Sequence, residues 1–167
     1  MKKANLADLV AETWQSRSGK FKNWGKTLNP SNGDPDAEEA IAKWPFEVEL
    51  AGIPAGATYG PYHCHAAQWE FYLVVSGTLT VRHKEAETEA RPGDFFMFGP
   101  GENHQLINRT EHEVTYYCIA DNPVTDHCYF PDSKKWIVRV PEREIIQGQK
   151  TDYFAGEDEG GGAWVQG

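Results

Sequence analysis

Three histidines and one glutamate lie close together in this chain, in an order that suits a metal ion. Three of these residues fall in one short block, and the fourth follows in a second block about 35 residues later, after Gly93. Neutral imidazole nitrogens bind Fe, Mn, Co, Ni, Cu or Zn, and one carboxylate offsets part of the ion's charge. The sequence therefore predicts one divalent metal ion per chain and no organic cofactor. The predicted metal ligands are His63, His65, Glu70 and His104.

The spacing of these residues predicts that β-strands position them. Side chains at i and i+2 of a strand share a face, so His63 and His65 point to the same side. Glu70 has the opposite parity and can join them only if the chain leaves register, by a bulge or bend, between residues 66 and 68. His104 must then come from a strand that returns beside the first.

The two blocks resemble the paired motifs of the cupin superfamily. The matching positions are His63, His65, Glu70 and Gly77 in the first motif and Gly93, Gly101, His104 and Asn108 in the second. The chain departs from the pattern twice, since Ala57 replaces the leading glycine of the first motif and Gly99 the proline of the second. The resemblance implies an all-β fold, a double-stranded jelly-roll barrel, with a mononuclear metal site inside it.

A second resemblance lies after the motifs. The element P-D-S-x-K at residues 131–135 is similar to a segment of small single-domain bacterial cupins, which are sometimes labelled sugar-phosphate isomerases. Because proline favours the first central position of a β-turn, Pro131 and the two residues after it also predict a turn.

Alternating and punctuated apolar segments predict the strands of the barrel. Phe46, Val48 and Leu50 alternate with polar or small neighbours, which predicts a half-buried strand. Further strands are predicted over residues 68–75, 78–83, 95–98, 104–108, 113–120 and 129–140, with a charged hairpin region over residues 84–90. These patterns divide the chain into an N-terminal arm at 1–43, a cupin barrel at 44–140 and a C-terminal extension at 141–167.

The arm is predicted to contain a short amphipathic helix. Leu6, Leu9, Val10 and Trp14 have helical spacing within residues 4–15. Residues 16–35 are rich in Ser, Gly, Asn, Pro and Lys and predict a loop, and residues 36–43 predict one or two helical turns. We expect this arm to pack on the barrel or on a neighbouring subunit.

Composition narrows the classes of function. The chain has 167 residues and a formal net charge of −9, which disfavours binding to nucleic acid. No apolar run approaches the length that spans a bilayer, and Asp8 and Glu12 interrupt the only segment resembling a leader. Three cysteines without metal-site spacing argue against a disulfide scaffold. We expect a cytoplasmic protein with a small-molecule partner, and neither nucleic acid nor a membrane.

Three functions are compatible with the predicted metal site. The ion could act as a Lewis acid on a small polar or carbonyl-bearing molecule in an isomerase-type reaction, it could support a dioxygenase, or the protein could be a non-catalytic binding module. Tyr72 is the predicted catalytic residue, because it shares the inward parity of Glu70, and Glu102 is a second candidate base. Residues that could line the pocket are Tyr59, Tyr62, Gln68, Trp69 and Phe71.

Two segments also predict a homodimer. Residues 68–75 and 95–98 are apolar on both faces, and a strand of that kind needs cover on both sides. A second subunit is the expected cover for the outer face.

Overall fold

The fold is described from a computed structural model of the chain, in which residues 3–29, 44–84, 86–139, 143–148 and 150 are described. These ranges contain one 3-10 helix, Leu6–Asp8, and thirteen strands. The first seven strands are β1 Glu12–Gln15, β2 Lys22–Thr27, β3 Phe46–Ile53, β4 Cys64–His65, β5 Glu70–Ser76, β6 Leu79–His83 and β7 Ala86–Ala90. The remaining six are β8 Phe95–Phe98, β9 His104–Ile107, β10 Val114–Asp121, β11 Cys128–Phe130, β12 Lys135–Val138 and β13 Glu144–Ile146.

The strands form two layers of a β barrel. One layer is a six-stranded sheet in the order β1-β2-β3-β10-β5-β8. The other combines a four-stranded sheet, β13-β12-β11-β4, with a three-stranded sheet, β7-β6-β9. Two backbone hydrogen bonds between His63 and His104, of 3.1 and 2.8 Å, connect these smaller sheets into one layer. The predicted all-β jelly-roll class is confirmed.

The hydrophobic core lies between the two layers at the end of the barrel away from the predicted ligands. Tyr72, Val74 and Tyr116 of the six-stranded sheet pack in one cluster with Leu79 and Leu106 of the opposite layer. All five are at most 2 % exposed, so this end of the barrel is closed to solvent.

In strand β3, the residues that the sequence pattern predicts to face solvent point into the barrel. Ala51 and Ile53 are fully buried in the core, whereas Phe46 is half-exposed on the outer surface. Because alternate residues of a strand share a face, Glu47 and Glu49 point into the barrel with Ala51. The strand is half-buried as predicted, but two carboxylates lie on its inner side.

The predicted helix over residues 4–15 is wrong. The segment forms a single 3-10 turn, in which the Asn5 side chain accepts a hydrogen bond from Ala7 N at 2.9 Å, and then continues as β1. Strand β1 pairs with β2, within the stretch predicted as loop, and both join the six-stranded sheet. A helix this short is marginal alone, and pairing with a sheet edge satisfies the same backbone groups.

Gly77 connects β5 to β6 at the end of the first motif. Its φ of 77° is in the left-handed region, and a Cβ there would lie 2.7 Å from the carbonyl oxygen of Glu113. The motif glycine is therefore required both by its backbone conformation and by close approach of the neighbouring chain.

The remaining predicted elements have mixed outcomes. Residues 131–134 form the predicted turn before β12. The helical turns predicted over residues 36–43 lie outside the described residues, as do residues 151–167 of the C-terminal extension. None of the described segments forms a helix with the length and apolar character needed to cross a membrane.

Candidate metal centre

The four predicted ligands converge on the inner face at the open end of the barrel. Glu70 begins β5 in one layer, while His63, His65 and His104 come from β4 and β9, or the residue next to them, in the other. One ligand atom each of His63, Glu70 and His104 lie within 4.8 Å of one another. Glu70 Oε2 is 2.9 Å from His104 Nε2 and 3.6 Å from His65 Nε2.

The predicted change of register occurs where the parity argument requires it. Strand β4 ends at His65, and β5 begins only at Glu70. The intervening residues are bent, so Glu70 faces the histidines from the opposite sheet instead of continuing their strand.

Each imidazole uses Nδ1 for a contact outside the centre. His63 Nδ1 is 2.9 Å from Pro61 O, and His104 Nδ1 is 3.1 Å from Glu102 O. Because a carbonyl oxygen only accepts, both Nδ1 atoms donate, and in the neutral form of each ring Nε2 then keeps its lone pair. This tautomer turns the three Nε2 atoms toward Glu70 as potential metal ligands.

Electrostatics favour the protonation states that a metal requires. Burial, reinforced by His104, lowers the pKa of His63 to about 4, so this imidazole is neutral at pH 7. Burial alone would raise the pKa of Glu70, but the nearby His104, His65 and His63 outweigh it and lower that pKa to about 2. His63 is therefore a neutral imidazole and Glu70 an ionised carboxylate at pH 7, which are the forms that bind a metal ion.

The predicted catalytic residue Tyr72 lies directly behind Glu70. Its buried hydroxyl donates to Glu70 Oε1 at 2.9 Å, which leaves Oε2 directed at the histidines. Burial raises the pKa of Tyr72 well above its ordinary value. The contact fixes the orientation of the carboxylate.

Two buried atoms at the centre lack a hydrogen-bond partner. Glu70 Oε2 and His104 Nε2 are 2.9 Å apart, and neither has a hydrogen-bond partner within the described part of the chain. In the tautomer with the proton on Nδ1, the lone pairs of these two atoms face each other at this distance, which is unfavourable unless a proton or a metal ion lies between them. The donor set and these orphaned atoms fit a divalent ion bound by the four residues.

Asp126 and Cys128 support the centre from behind His65. Asp126 Oδ2 accepts a hydrogen bond from His65 Nδ1 at 2.6 Å, and its Oδ1 accepts from Ala67 N at 2.9 Å. Cys128 Sγ is 3.4 Å from the same His65 nitrogen. Sequence reasoning missed both residues, because Asp126 lies 61 positions from His65 in a segment without regular alternation.

Aromatic rings pack against two of the imidazoles. The Phe98 ring is stacked on His104 with centroids 4.1 Å apart, and Phe130 is stacked on His63 at 5.9 Å. These contacts restrict both imidazole planes and exclude water from their outer faces.

The other residues proposed from sequence have varied positions. Glu102 Oε2 accepts a hydrogen bond from Gly99 N at 2.7 Å, so its carboxylate closes the turn before His104. Tyr59 packs against the core and Tyr62 lies under the Arg82 guanidinium, 3.9 Å from the ring centre. Gln68 is buried and donates to Asp121 O at 2.6 Å, while Trp69 and Phe71 face outward on the six-stranded sheet.

Comparison with known proteins agrees with this geometry. The family model described as "Cupin domain" matches residues 49–120, which include all four ligands. Residues 49–120 form a cupin domain. No curated protein matches the sequence.

Several solved structures have a similar fold. One is a cupin-superfamily sugar phosphate isomerase from Silicibacter pomeroyi, with 21 % identity, a TM-score of 0.70, and coverage of 87 % of this chain and 92 % of that one. A candidate sugar phosphate isomerase from Acidithiobacillus ferrooxidans has 19 % identity and a TM-score of 0.70, covering 85 % and 87 %. A predicted oxalate decarboxylase from Thermotoga maritima has 17 % identity and a TM-score of 0.56, covering 70 % and 96 %.

Proposed function

We propose that this cupin is an enzyme that binds one divalent metal ion per chain and uses it on a small polar or carbonyl-bearing molecule. The observation that carries the proposal is the pair of buried, unpartnered atoms Glu70 Oε2 and His104 Nε2, which face each other at 2.9 Å. His63 and His65 complete the proposed ligand set. A closed structural zinc site would more often be rich in cysteine, whereas Cys64 has the opposite parity to the two histidines beside it and Cys128 lies behind His65, 3.4 Å from its Nδ1.

The ion and the residues around it would have separate roles in such an enzyme. When bound, the ion supplies Lewis acidity that polarises a carbonyl oxygen. Asp126 holds the ring of His65, and Tyr72 holds the carboxylate of Glu70. We therefore assign the predicted catalytic residue Tyr72 to positioning a ligand, because a hydroxyl that donates to Glu70 is not free to accept a proton.

We favour an isomerase-type reaction over oxygen chemistry. Two structural neighbours are described as sugar phosphate isomerases, and both cover more than four-fifths of the chain. Carbonyl polarisation is the step that such isomerisation shares with the Lewis-acid role proposed here. Oxygen uptake by the iron-loaded protein in the presence of a catechol would assign it to the dioxygenases instead.

Elemental analysis of tag-free protein tests the metal site. We expect about one divalent ion per chain in the wild type and in His112→Ala, whose histidine is exposed and outside the centre. His63→Ala and His104→Ala should lose most of the metal. Wild-type stoichiometry in both of these variants would refute the proposed site.

Cobalt substitution tests whether the ion is open to small molecules. A catalytic ion needs an exchangeable position, so azide or a chelating acid should change the visible spectrum of the Co(II) protein. An unchanged spectrum at saturating ligand would assign the ion to a structural role. As further parts of the proposal, we place the protein in the cytoplasm, as a homodimer with a small-molecule substrate.

A further inference from the structure

A second carboxylate shares the open end of the barrel with the proposed metal centre. In the six-stranded sheet, Ala120 of β10 is paired with Glu47 of β3 on one side and Glu70 of β5 on the other. All three side chains lie on the inner face. Neighbouring strands are about 4.8 Å apart, so the Cα atoms of Glu47 and Glu70 are roughly 10 Å apart, with only a methyl group between them.

The Glu47 carboxylate lacks a hydrogen-bond donor among the described residues, and the residue is only half-buried. Burial raises its pKa, and the charge of Glu70 adds to that effect, whereas Arg139 and His65 lower it. The charges of Glu70 and His65 at the metal centre therefore act on this carboxyl group across Ala120.

The orphaned atoms of the metal centre indicate that a ligand binds on the same side of the barrel. Glu70 is 9 % exposed and His104 is 2 % exposed, and each directs an unpartnered atom toward the inside of the barrel. A molecule that reaches an ion held by those atoms enters a space that Glu47 also borders.

We propose that Glu47 determines specificity by accepting a hydrogen bond from a hydroxyl group of the metal-bound molecule, so that the site prefers a neutral polyhydroxy carbonyl compound over its phosphate ester. This inference rests on the proposed function and names its substrate class. Glu49 adds a second inward carboxyl group one row deeper. Arg139 is the arginine whose charge acts on Glu47, and it is exposed at the surface.

The preference follows from charge. A phosphate ester carries about two negative charges at pH 8 and would approach an ionised carboxylate that no local cation fully covers. A hydroxyl group instead donates to that carboxylate, and such charge-assisted hydrogen bonds are the stronger kind. For a phosphate group about 10 Å from this carboxylate in a partly buried site, removing the carboxylate charge should improve the binding of the anion by roughly tenfold.

Ligand titrations of the Co(II) protein at pH 8 test this inference. The probes are dihydroxyacetone and dihydroxyacetone phosphate, which present the same carbonyl and hydroxyl groups and differ in charge. For Glu47→Gln we expect the affinity for the phosphate ester to rise about tenfold relative to that for the neutral probe. Glu111→Gln is the control, because it removes the same charge from an exposed loop at the opposite end of the barrel.

The outcomes separate this inference from the proposed function. If Glu47→Gln binds one cobalt ion and both probes with the wild-type affinity ratio, the role of Glu47 is refuted while the metal site stands. If no probe changes the cobalt spectrum of any variant, the open metal position fails and the inference with it. Glu47→Ala should show the same change in ratio, which keeps the test decisive if the glutamine variant does not fold.

Discussion

Asp126 contributes to metal affinity although it does not face the ion. Its carboxylate accepts a hydrogen bond from His65 Nδ1 at 2.6 Å and is nearly fully buried. We expect Asp126→Asn to weaken metal binding by about 10- to 100-fold, because the ring of His65 loses the charge and the acceptor that orient it. Competition with a chromophoric chelator measures the affinity for Zn²⁺.

The control for this change is Asp132→Asn, which alters an exposed carboxylate paired with Arg82. It should leave the affinity within experimental error of the wild type. Equal zinc affinities for Asp126→Asn and the wild type would show that His65 is oriented by the rest of its surroundings.

Glu49 makes the stability of the fold dependent on pH. Burial, with the charges of Glu47 and Glu12, raises the pKa of Glu49 from an ordinary value of 4.5 to about 7. Tyr59, Tyr116 and Cys118 also face this carboxyl group. A raised carboxyl pKa means that the folded state binds the proton more tightly, so the stabilising contribution is full below pH 4.5 and is lost as the pH rises through 7.

We therefore expect Glu49→Gln to be more stable than the wild type at pH 8.5, by up to about 3 kcal/mol, and nearly equal to it at pH 4.5. Urea denaturation at the two pH values measures the difference. Glu111→Gln, an exposed glutamate, should show no such pH-dependent gain. A constant offset between the Glu49→Gln and wild-type curves would contradict the assignment.

At this scale the sequence predicts the ligands better than their surroundings. The i, i+2 spacing of His63 and His65 and the odd parity of Glu70 are local properties, so strand geometry alone predicts the break that the structure contains. The roles of Asp126 and Glu47 depend on which distant strand lies beside β4 or β5. The alternation in β3 even suggests the opposite face, because the barrel places carboxyl groups inside where most cores place apolar side chains.

Among the elements, the turn from β5 to β6 depends most clearly on one residue. Gly77→Ala introduces a Cβ at a φ of 77° and only 2.7 Å from Glu113 O. We expect a loss of about 2–4 kcal/mol in the free energy of unfolding, from backbone strain together with overlap. Gly93→Ala is the matched control, because its φ is 93° but a Cβ there meets no atom within 4 Å.

Chemical denaturation of both variants separates strain from overlap. Gly93→Ala should lose about 1–2 kcal/mol from strain alone. If the two variants lose the same free energy, the chain near Glu113 moves away without cost and the close approach is not what requires glycine.

The N-terminal segment shows why element type is less predictable than ligand spacing. Leu6, Leu9, Val10 and Trp14 have helical periodicity, yet Val10 and Trp14 are exposed on a segment that continues as β1. Over a dozen residues, pairing with β2 competes successfully with a helix that has little surface to pack against. The hydrophobic periodicity of a segment does not show whether a sheet edge is available for it to pair with.

On the scale of the whole molecule, the outer face of the six-stranded sheet carries an exposed row of apolar side chains. Met97, Phe71, Ile119 and Val48 lie in one row across β8, β5, β10 and β3. Phe95, which is 69 % exposed, is stacked on Phe71 at 5.8 Å and extends this surface. Exposed apolar surfaces of this kind often form interfaces, so we expect a second subunit to cover this one.

We expect light scattering at micromolar concentration to give twice the chain mass of 18.8 kDa. Phe95→Lys combined with Met97→Lys should shift the mass to that of one chain, because two charges would be buried in the interface. Ile145→Lys places the same charge on an exposed apolar position of the other layer and should remain dimeric. A wild-type mass near 18.8 kDa would refute the homodimer.

The backbone bridge between His63 and His104 also bears on how the protein acquires its ion. Two of the four proposed ligands are held beside each other by hydrogen bonds of the sheet, not by the metal. The conformational entropy of bringing these distant segments together is therefore already lost when the barrel folds. The apoprotein should be a folded receptor, whose rate of metal uptake reflects access through the barrel mouth and dehydration of the ion instead of a folding transition.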